Sequence, residues 1–229
     1  MKVHSYSIDT GMRKTVLLFV FAVSFLLSSP LNKLLTFIID SINNTHIKQL
    51  IDDIDNIGFS LGSISVLALF GVLYYLFSKH LWKLKFLYRF LNVPNLNGEW
   101  IGTLKSSYKD DSGENVQLGA TLEIRQDWEK ITIQSTFGSS HSFSDAAAIR
   151  IDSNKGITLL FSYSNENEDI KLSSEGDPGH RGLNELVFKD NTLKGGYFTN
   201  RIIPTRGKLF LMKSEEIYED VTPKQPLHK

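Results

Sequence analysis

The chain has 229 residues, with 25 lysines and arginines against 25 aspartates and glutamates, six histidines and no cysteine. A net charge of zero argues against a protein that coats a DNA or RNA polymer, which needs a strongly basic face. The lack of cysteine excludes disulfide staples, thiolate metal sites and cysteine nucleophiles, and suits a cytoplasmic domain.

Residues 1–14 read as a cytoplasmic tail that ends in Arg13 and Lys14. The apolar run from Val16 to Leu27 has the length of a signal-peptide core. However, apolar character resumes through Leu34, Leu35, Phe37, Ile38 and Ile39, and the nearby small-x-small site, Ala22-Val23-Ser24, lies inside the run. The pattern predicts a kinked transmembrane helix over 15–39, with Lys33 snorkelling or facing a partner helix. After a short periplasmic loop at 40–56, Ile57 to Phe77 contains no charged residue, and about 20 apolar residues suffice to cross a bilayer. A second transmembrane helix is therefore predicted at 57–78, with Tyr74 and Tyr75 at headgroup level. Gly58-x-x-x-Gly62, Ser63, Ser65 and Gly71 offer surfaces for close helix approach.

Basic residues decide orientation because they are retained on the cytoplasmic side. Arg13 and Lys14 precede the first span; Lys79, Lys83, Lys85 and Arg89 follow the second, in a basic juxtamembrane linker at 79–94. The loop between has Lys48 as its one lysine or arginine, beside Asp52, Asp53 and Asp55. A multi-pass protein of the bacterial inner membrane with both termini cytoplasmic is expected.

Residues 95–213 carry 14 lysines and arginines against 16 acidic residues, a net charge of −2, and read as the sensor domain ahead of a C-terminal tail at 214–229. Alternating polarity, β-branched and aromatic residues and regularly spaced turn signals predict eight strands. They lie near 98–108, 116–126, 129–137, 143–152, 156–163, 182–189, 192–200 and 206–213, with Asp190-Asn191 as a tight hairpin. Hairpin-linked short strands favour closure, which removes exposed edges. The expected fold is a membrane-anchored all-β protein: two N-terminal transmembrane helices followed by a compact eight-stranded up-and-down β-barrel. A two-sheet sandwich is the structural alternative. Gly195-Gly196 reads as a barrel corner.

Catalytic signatures are missing. Residues 95–213 have no Gly-x-Ser-x-Gly elbow, phosphate-binding Gly-Lys-Ser/Thr loop or His-Glu-x-x-His, so no enzyme activity, catalytic residue, metal or cofactor is expected. His141 and His180 fall in turns, where a lone histidine is usually solvated. Glu166, Glu168 and Asp169 read as a solvated acidic loop. Positive charge is more suggestive: Arg181 follows His180, while Asn200, Arg201 and Arg206 should gather at one barrel end if their strands are hairpin-linked. Arginine forks backed by Trp100, Tyr163 or Tyr197 would suit phosphates and stacked bases. Taken singly, each arginine is equally readable as a solvated rim group, and Trp100 as either a barrel plug or a stacking platform.

Two amino-terminal spans, the basic juxtamembrane stretch, the opening Pro94-Asn95-Leu96-Asn97-Gly98-Glu99-Trp100-Ile101-Gly102-Thr103-Leu104, His180-Arg181-Gly182 and Gly196-Tyr197-Phe198-Thr199-Asn200-Arg201 together resemble the SMODS-associated two-transmembrane β-strand-rich effectors. These serve CBASS, the bacterial cyclic-oligonucleotide anti-phage system. The resemblance implies a cyclic dinucleotide as activating ligand, supplied by a CD-NTase and bound in the barrel through Trp100, Tyr163, His180, Arg181, Tyr197, Asn200, Arg201 and Arg206. It further implies homo-oligomerisation of the transmembrane segments and disruption of inner-membrane lipid. The Gly-x-Trp-x-Gly opening is also similar to lipocalin and fatty-acid-binding barrels, in which the tryptophan plugs one end. The alternative is thus a membrane-tethered lipocalin-like barrel that binds a lipid or other hydrophobic ligand.

Overall fold

The structure, a computed structural model, describes residues 3–41, 49–51, 53, 64–138, 140–152, 156–165, 180–201 and 203–214. The chain divides into a helical unit, residues 11–87, and a β unit formed by residues 1–10 and 88–229.

In the helical unit, α1 spans Met12–Ser41 with Pro30 inside it. At a rise of about 1.5 Å per residue it is roughly 45 Å long, and it is the one described helix long and apolar enough to cross a membrane. Leu18, Phe19, Phe25, Leu26 and Phe37 are exposed along it, which is tolerable where the surroundings are hydrocarbon and not water. The second helix, α2, spans Val66–Lys79, and the Ser65 hydroxyl caps it by accepting from the Ala68 N–H at 3.0 Å. Residues 57–63 of the expected second span, with Gly58, Gly62 and Ser63, lie outside the described residues. Asn32 of α1 joins the two helices: its side-chain oxygen accepts from the Ile64 N–H, and its amide nitrogen donates to the Ile64 carbonyl at 3.2 Å. Phe21 packs edge-on against Phe70 at 6.0 Å. Within the expected linker the chain forms a 3₁₀ turn, Leu81–Lys83, and a short helix, α3, Lys85–Leu91.

The β unit contains nine strands: β1 His4–Ile8, β2 Gly98–Lys109, β3 Asn115–Gln126, β4 Lys130–Phe137, β5 Ser140–Asp152, β6 Gly156–Asn165, β7 Arg181–Lys189, β8 Thr192–Thr199 and β9 Arg206–Lys213. The eight strands expected from the sequence correspond to β2–β9, with ends displaced by three residues or fewer. Asp190 and Asn191 both adopt positive φ, as a two-residue hairpin of the favoured twist requires. The ninth strand corrects both the expected count and the reading of residues 1–14 as a tail. All nine belong to one closed sheet in the order β1-β4-β3-β2-β9-β8-β7-β6-β5.

Strand β1 is needed because β4 and β5 separate. They pair directly only between Gln134 and Phe137 on one strand and Ser140 and Phe143 on the other. Beyond that point β1 enters the gap, antiparallel to β4 at His4↔Ile131 and parallel to β5 from Tyr6↔Ala147 to Ile8↔Ile149. Ser144 sits at the fork. Its hydroxyl accepts from the Ile133 N–H at 2.9 Å and lies 2.7 Å from His4 Nε2, while the register of β5 slips by one residue at Asp145. The Tyr6 ring is buried, donates to the Asp127 carbonyl at 3.1 Å and receives the Gln126 amide at 3.1 Å.

Inward alternation builds the core from Trp100, Leu122, Ile124, Ile133, Ile149, Leu159, Phe161, Leu186, Leu193 and Leu211, all at most 1% exposed. At the end where β2 begins, the Trp100 indole N–H donates to the Leu96 carbonyl at 3.0 Å and the ring meets Phe188 edge-on at 6.0 Å. Leu96 and Trp128 are fully buried, and the Leu96 N–H donates to the Gln126 side chain at 2.9 Å. This end of the barrel is packed shut.

Replacing Tyr6 by alanine should destabilise the β unit by about 3 kcal/mol, as expected for loss of a buried aromatic ring and its hydrogen bonds. Denaturant unfolding of the full chain in detergent, followed by tryptophan fluorescence, measures this; a midpoint equal to wild type would show that β1 does not contribute to closure.

Candidate functional site

The opposite end of the barrel is open. A cavity of about 150 Å³ lies between the last residues of β2, β4, β6 and β8 and the first residues of β3, β5, β7 and β9. Leu104, Val116, Leu118 and Phe137 form an apolar wall; Ser106, Ser142, Asn165, Thr199 and Thr205 supply hydroxyls and an amide. Tyr163, Tyr197 and His180 add rings, and Arg201 is the only Arg, Lys, Asp or Glu among the described lining residues.

Two tyrosine rings owe their positions to glycines directly across the ladder. Tyr163 of β6 pairs with Gly182 of β7, and Tyr197 of β8 with Gly207 of β9. A Cβ at Gly182 would fall 2.4 Å from Tyr163 Cζ, and one at Gly207 would fall 2.6 Å from Tyr197 Cε1. Each ring occupies the space its partner's missing side chain leaves. Tyr197 then donates to Ser106 Oγ at 2.9 Å. Burial pushes the Tyr163 hydroxyl up to about 12, with Tyr197 adding to the rise and the positive charge of Arg201 opposing it. At neutral pH the group is protonated and can donate to an anion.

Arg201 is brought to the mouth by a pinched loop between β8 and β9. Thr199 N–H donates to the Thr205 carbonyl at 2.9 Å, and the two threonine hydroxyls lie 2.9 Å apart. The Arg201 guanidinium donates to His180 Nε2 at 3.3 Å. His180 is buried, lies edge-on to Tyr163 at 6.3 Å, and its carbonyl accepts from the Asn165 N–H at 2.9 Å, joining the ends of β6 and β7.

Four of the eight residues expected at the site, Tyr163, His180, Tyr197 and Arg201, line this one cavity. The other four do not. Trp100 is buried at the closed end, where its ring plugs the barrel. Arg181 and Asn200 bind each other's backbone at the rim: Asn200 N–H donates to the Arg181 carbonyl at 2.9 Å and Asn200 Oδ1 accepts from Arg181 N–H at 2.7 Å. Arg206 points outward by strand alternation, away from the cavity, and lines a groove on the outer wall. The acidic trio Glu166, Glu168 and Asp169 lies outside the described residues.

The polar lining was missed in the sequence because serines and threonines carry no spacing signal until closure brings β2, β5, β8 and the residue before β9 together. Ser106, Ser142, Thr199 and Thr205 are all at most 8% exposed. Ser142 Oγ has no hydrogen-bond partner among the described residues. Neither does the side-chain amide of Asn184, a fully buried group facing inward between Phe161 and Tyr197. Unmet donors and acceptors of this kind are costly inside a fold unless water or a ligand completes them.

A family model described as the Cap15 cyclic dinucleotide receptor domain matches residues 91–213, and one described as Cap15 TM helices matches residues 14–83. The chain is similar to CD-NTase-associated protein 15 of Yersinia aleksiciae, with 32% identity over 219 residues, 94% of this chain and 99% of that protein. It is also similar to CD-NTase-associated protein 15 of Escherichia albertii, with 26% identity over 152 residues, 64% of this chain and 72% of that protein.

Two outcomes follow from the tyrosine positions. Gly182→Ala should displace the Tyr163 ring, press on the Phe198 carbonyl and lower stability by about 1–3 kcal/mol, read as a fall in unfolding midpoint; a midpoint equal to wild type would show that the glycine does not seat the ring. Because the folded Tyr163 hydroxyl holds its proton above the ordinary value of 10.0, its stabilising contribution is complete below pH 10 and is lost as the pH rises toward 12. Tyr163→Phe should therefore flatten the alkaline limb of the stability curve between those values.

Proposed function

The chain belongs to the Cap15 family, and from that premise we propose that it is a non-enzymatic CBASS effector whose β unit binds a cyclic dinucleotide made by a CD-NTase. The observation that carries this reading is the open barrel end, where the Arg201 cation, two glycine-seated tyrosines and the unmet Ser142 hydroxyl line one cavity. Cyclic dinucleotides present two phosphates and two aromatic bases. A guanidinium fork suits the phosphates and tyrosine faces suit the bases; serine, threonine and asparagine side chains suit base edges and ribose hydroxyls.

Size limits how such a ligand sits. Sites that enclose a drug-sized molecule usually measure about 300–1,000 Å³, more than the 150 Å³ of this cavity. The ligand would then stand partly outside the mouth, with its phosphates at the level of Arg201 and a base directed inward toward Tyr163 and Tyr197. Arg181 and Asn200 brace the rim in this reading, and Trp100 acts only as the plug of the far end.

The helical unit supplies the output. In this reading two helices span the inner membrane with both termini cytoplasmic, so that the barrel meets nucleotides where they are made. Ligand binding favours an associated state of the protein, and the gathered spans disrupt the bilayer. Binding can drive this only if the associated state holds the ligand more tightly. The match of residues 14–83 to Cap15 TM helices and the apolar length of α1 support the membrane part of the reading.

The test uses the full chain in liposomes, with leakage and direct binding measured against a panel of cyclic di- and trinucleotides. Loss of a charge-assisted hydrogen bond costs about 1.5–3 kcal/mol, so Arg201→Ala should weaken binding of the active ligand by roughly 10- to 100-fold and shift leakage in parallel. Trp100→Phe should alter stability and leave affinity nearly unchanged. Equal responses from wild type and Arg201→Ala, or binding of fatty acids with indifference to cyclic nucleotides, would favour a lipid-binding barrel instead.

A further inference from the structure

We propose that the outer wall of the barrel formed by β2, β9 and β8 is a docking surface for the anionic phospholipid headgroups of a bilayer. The alternation that turns Leu104, Leu209 and Tyr197 inward turns Lys105, Lys194, Arg206 and Lys208 outward, and all four are exposed. They stand close together. Lys105 is directly opposite Lys208 in the β2–β9 ladder, Arg206 lies two residues along β9 on the same face, and Lys194 is opposite Phe210 with its ammonium 4.6 Å from the ring centroid.

Like charges directly across a ladder repel. The flanking positions do not relieve this pair: Lys105 is followed across β3 by Gln117, and Lys208 across β8 by Gly196. Glu185, at the groove's edge, is already held by Arg150 at 2.7 Å. Among the described residues no carboxylate is paired with Lys105 or Lys208, so the pair is presented to an anion from outside.

The shape of the wall fits a surface rather than a single small ion. Because Gly196 has no side chain, an open groove of about 860 Å³ runs past Lys105, Lys208 and Arg206, and a second of about 630 Å³ continues from it past Thr103, Lys194 and Phe210. Phe198, 57% exposed, and Phe210, 41% exposed, flank the cations. Cations beside exposed aromatic rings match the two layers of a membrane interface, the phosphates and the boundary with the acyl chains. Charge complementarity thus favours an anionic bilayer as occupant. The same chain carries a membrane-length helix, which holds the barrel at high effective concentration near such a surface. This surface does not depend on the cavity reading, since none of its four cations lines the cavity.

The absence of cysteine from the chain allows one fluorescent label to be placed at will. The full chain with Thr103→Cys, labelled with an environment-sensitive dye, is reconstituted into vesicles of phosphatidylcholine alone or with phosphatidylglycerol. The expected result is a blue shift and quenching by lipid-borne quencher only with phosphatidylglycerol, both lost at high salt and in the Lys105→Glu, Lys208→Glu double variant. A label at Ala146, exposed on β5, should not respond. An equal signal in neutral vesicles, an equal response at Ala146, or a signal that grows only with protein density would overturn the proposal, the last by assigning the wall to a second copy of the chain.

Discussion

Closure of the sheet is the constraint on which the rest of the β unit depends. An open nine-stranded sheet would leave two rows of unpaired backbone groups exposed to association. Here the two potential edges, β4 and β5, meet directly for only a few residues and then diverge. The five residues of β1 complete the ladder by pairing antiparallel on one side and parallel on the other. The same divergence shapes the two barrel ends. Near β1 the interior is filled by Ile131, Ile149 and the buried Tyr6, and the tryptophan plug seals that end. At the other end, direct β4–β5 pairing leaves an unfilled mouth lined by Phe137, Ser140 and Ser142.

The candidate site follows from how that mouth is lined. Two cross-strand glycine positions, 182 and 207, let tyrosine rings lie where other residues would collide with them. The threonine clasp at 199 and 205 then turns the chain so that Arg201 reaches His180. Ring faces, one guanidinium and hydroxyl groups are thereby gathered at one end of an otherwise apolar core.

Strand alternation also separates two uses of positive charge. Arg201, in a loop, is free of the inward-outward rule and turns to the cavity mouth, whereas Arg206, the first residue of β9, is bound by it and faces outward beside Lys208. Two arginines five positions apart thus serve different surfaces. The inner one suits a compact ligand and the outer set suits an extended anionic surface; both lie on a protein that carries its own membrane-length helix.

Much of this architecture was legible in the chain alone. Period-two alternation and turn residues located β2–β9, because those signals are local: each strand's own side chains report which face is buried. The apolar run of α1 was legible for the same reason, as was the tight hairpin at Asp190-Asn191. What the sequence could not determine is everything that depends on pairing between distant residues. His4–Ile8 is too short and too polar to announce a strand, and it becomes one only because β4 and β5 leave it a gap more than 120 residues away. Likewise, Tyr163, His180, Tyr197 and Arg201 were nameable as chemistry, but so were Trp100 and Arg206. The register of the closed sheet turned Tyr163 and Tyr197 into the cavity and Arg206 to the outer wall, since a one-residue change in register exchanges the inside and outside of a strand; loop contacts brought His180 and Arg201 to the same mouth, and Trp100 plugs the opposite end.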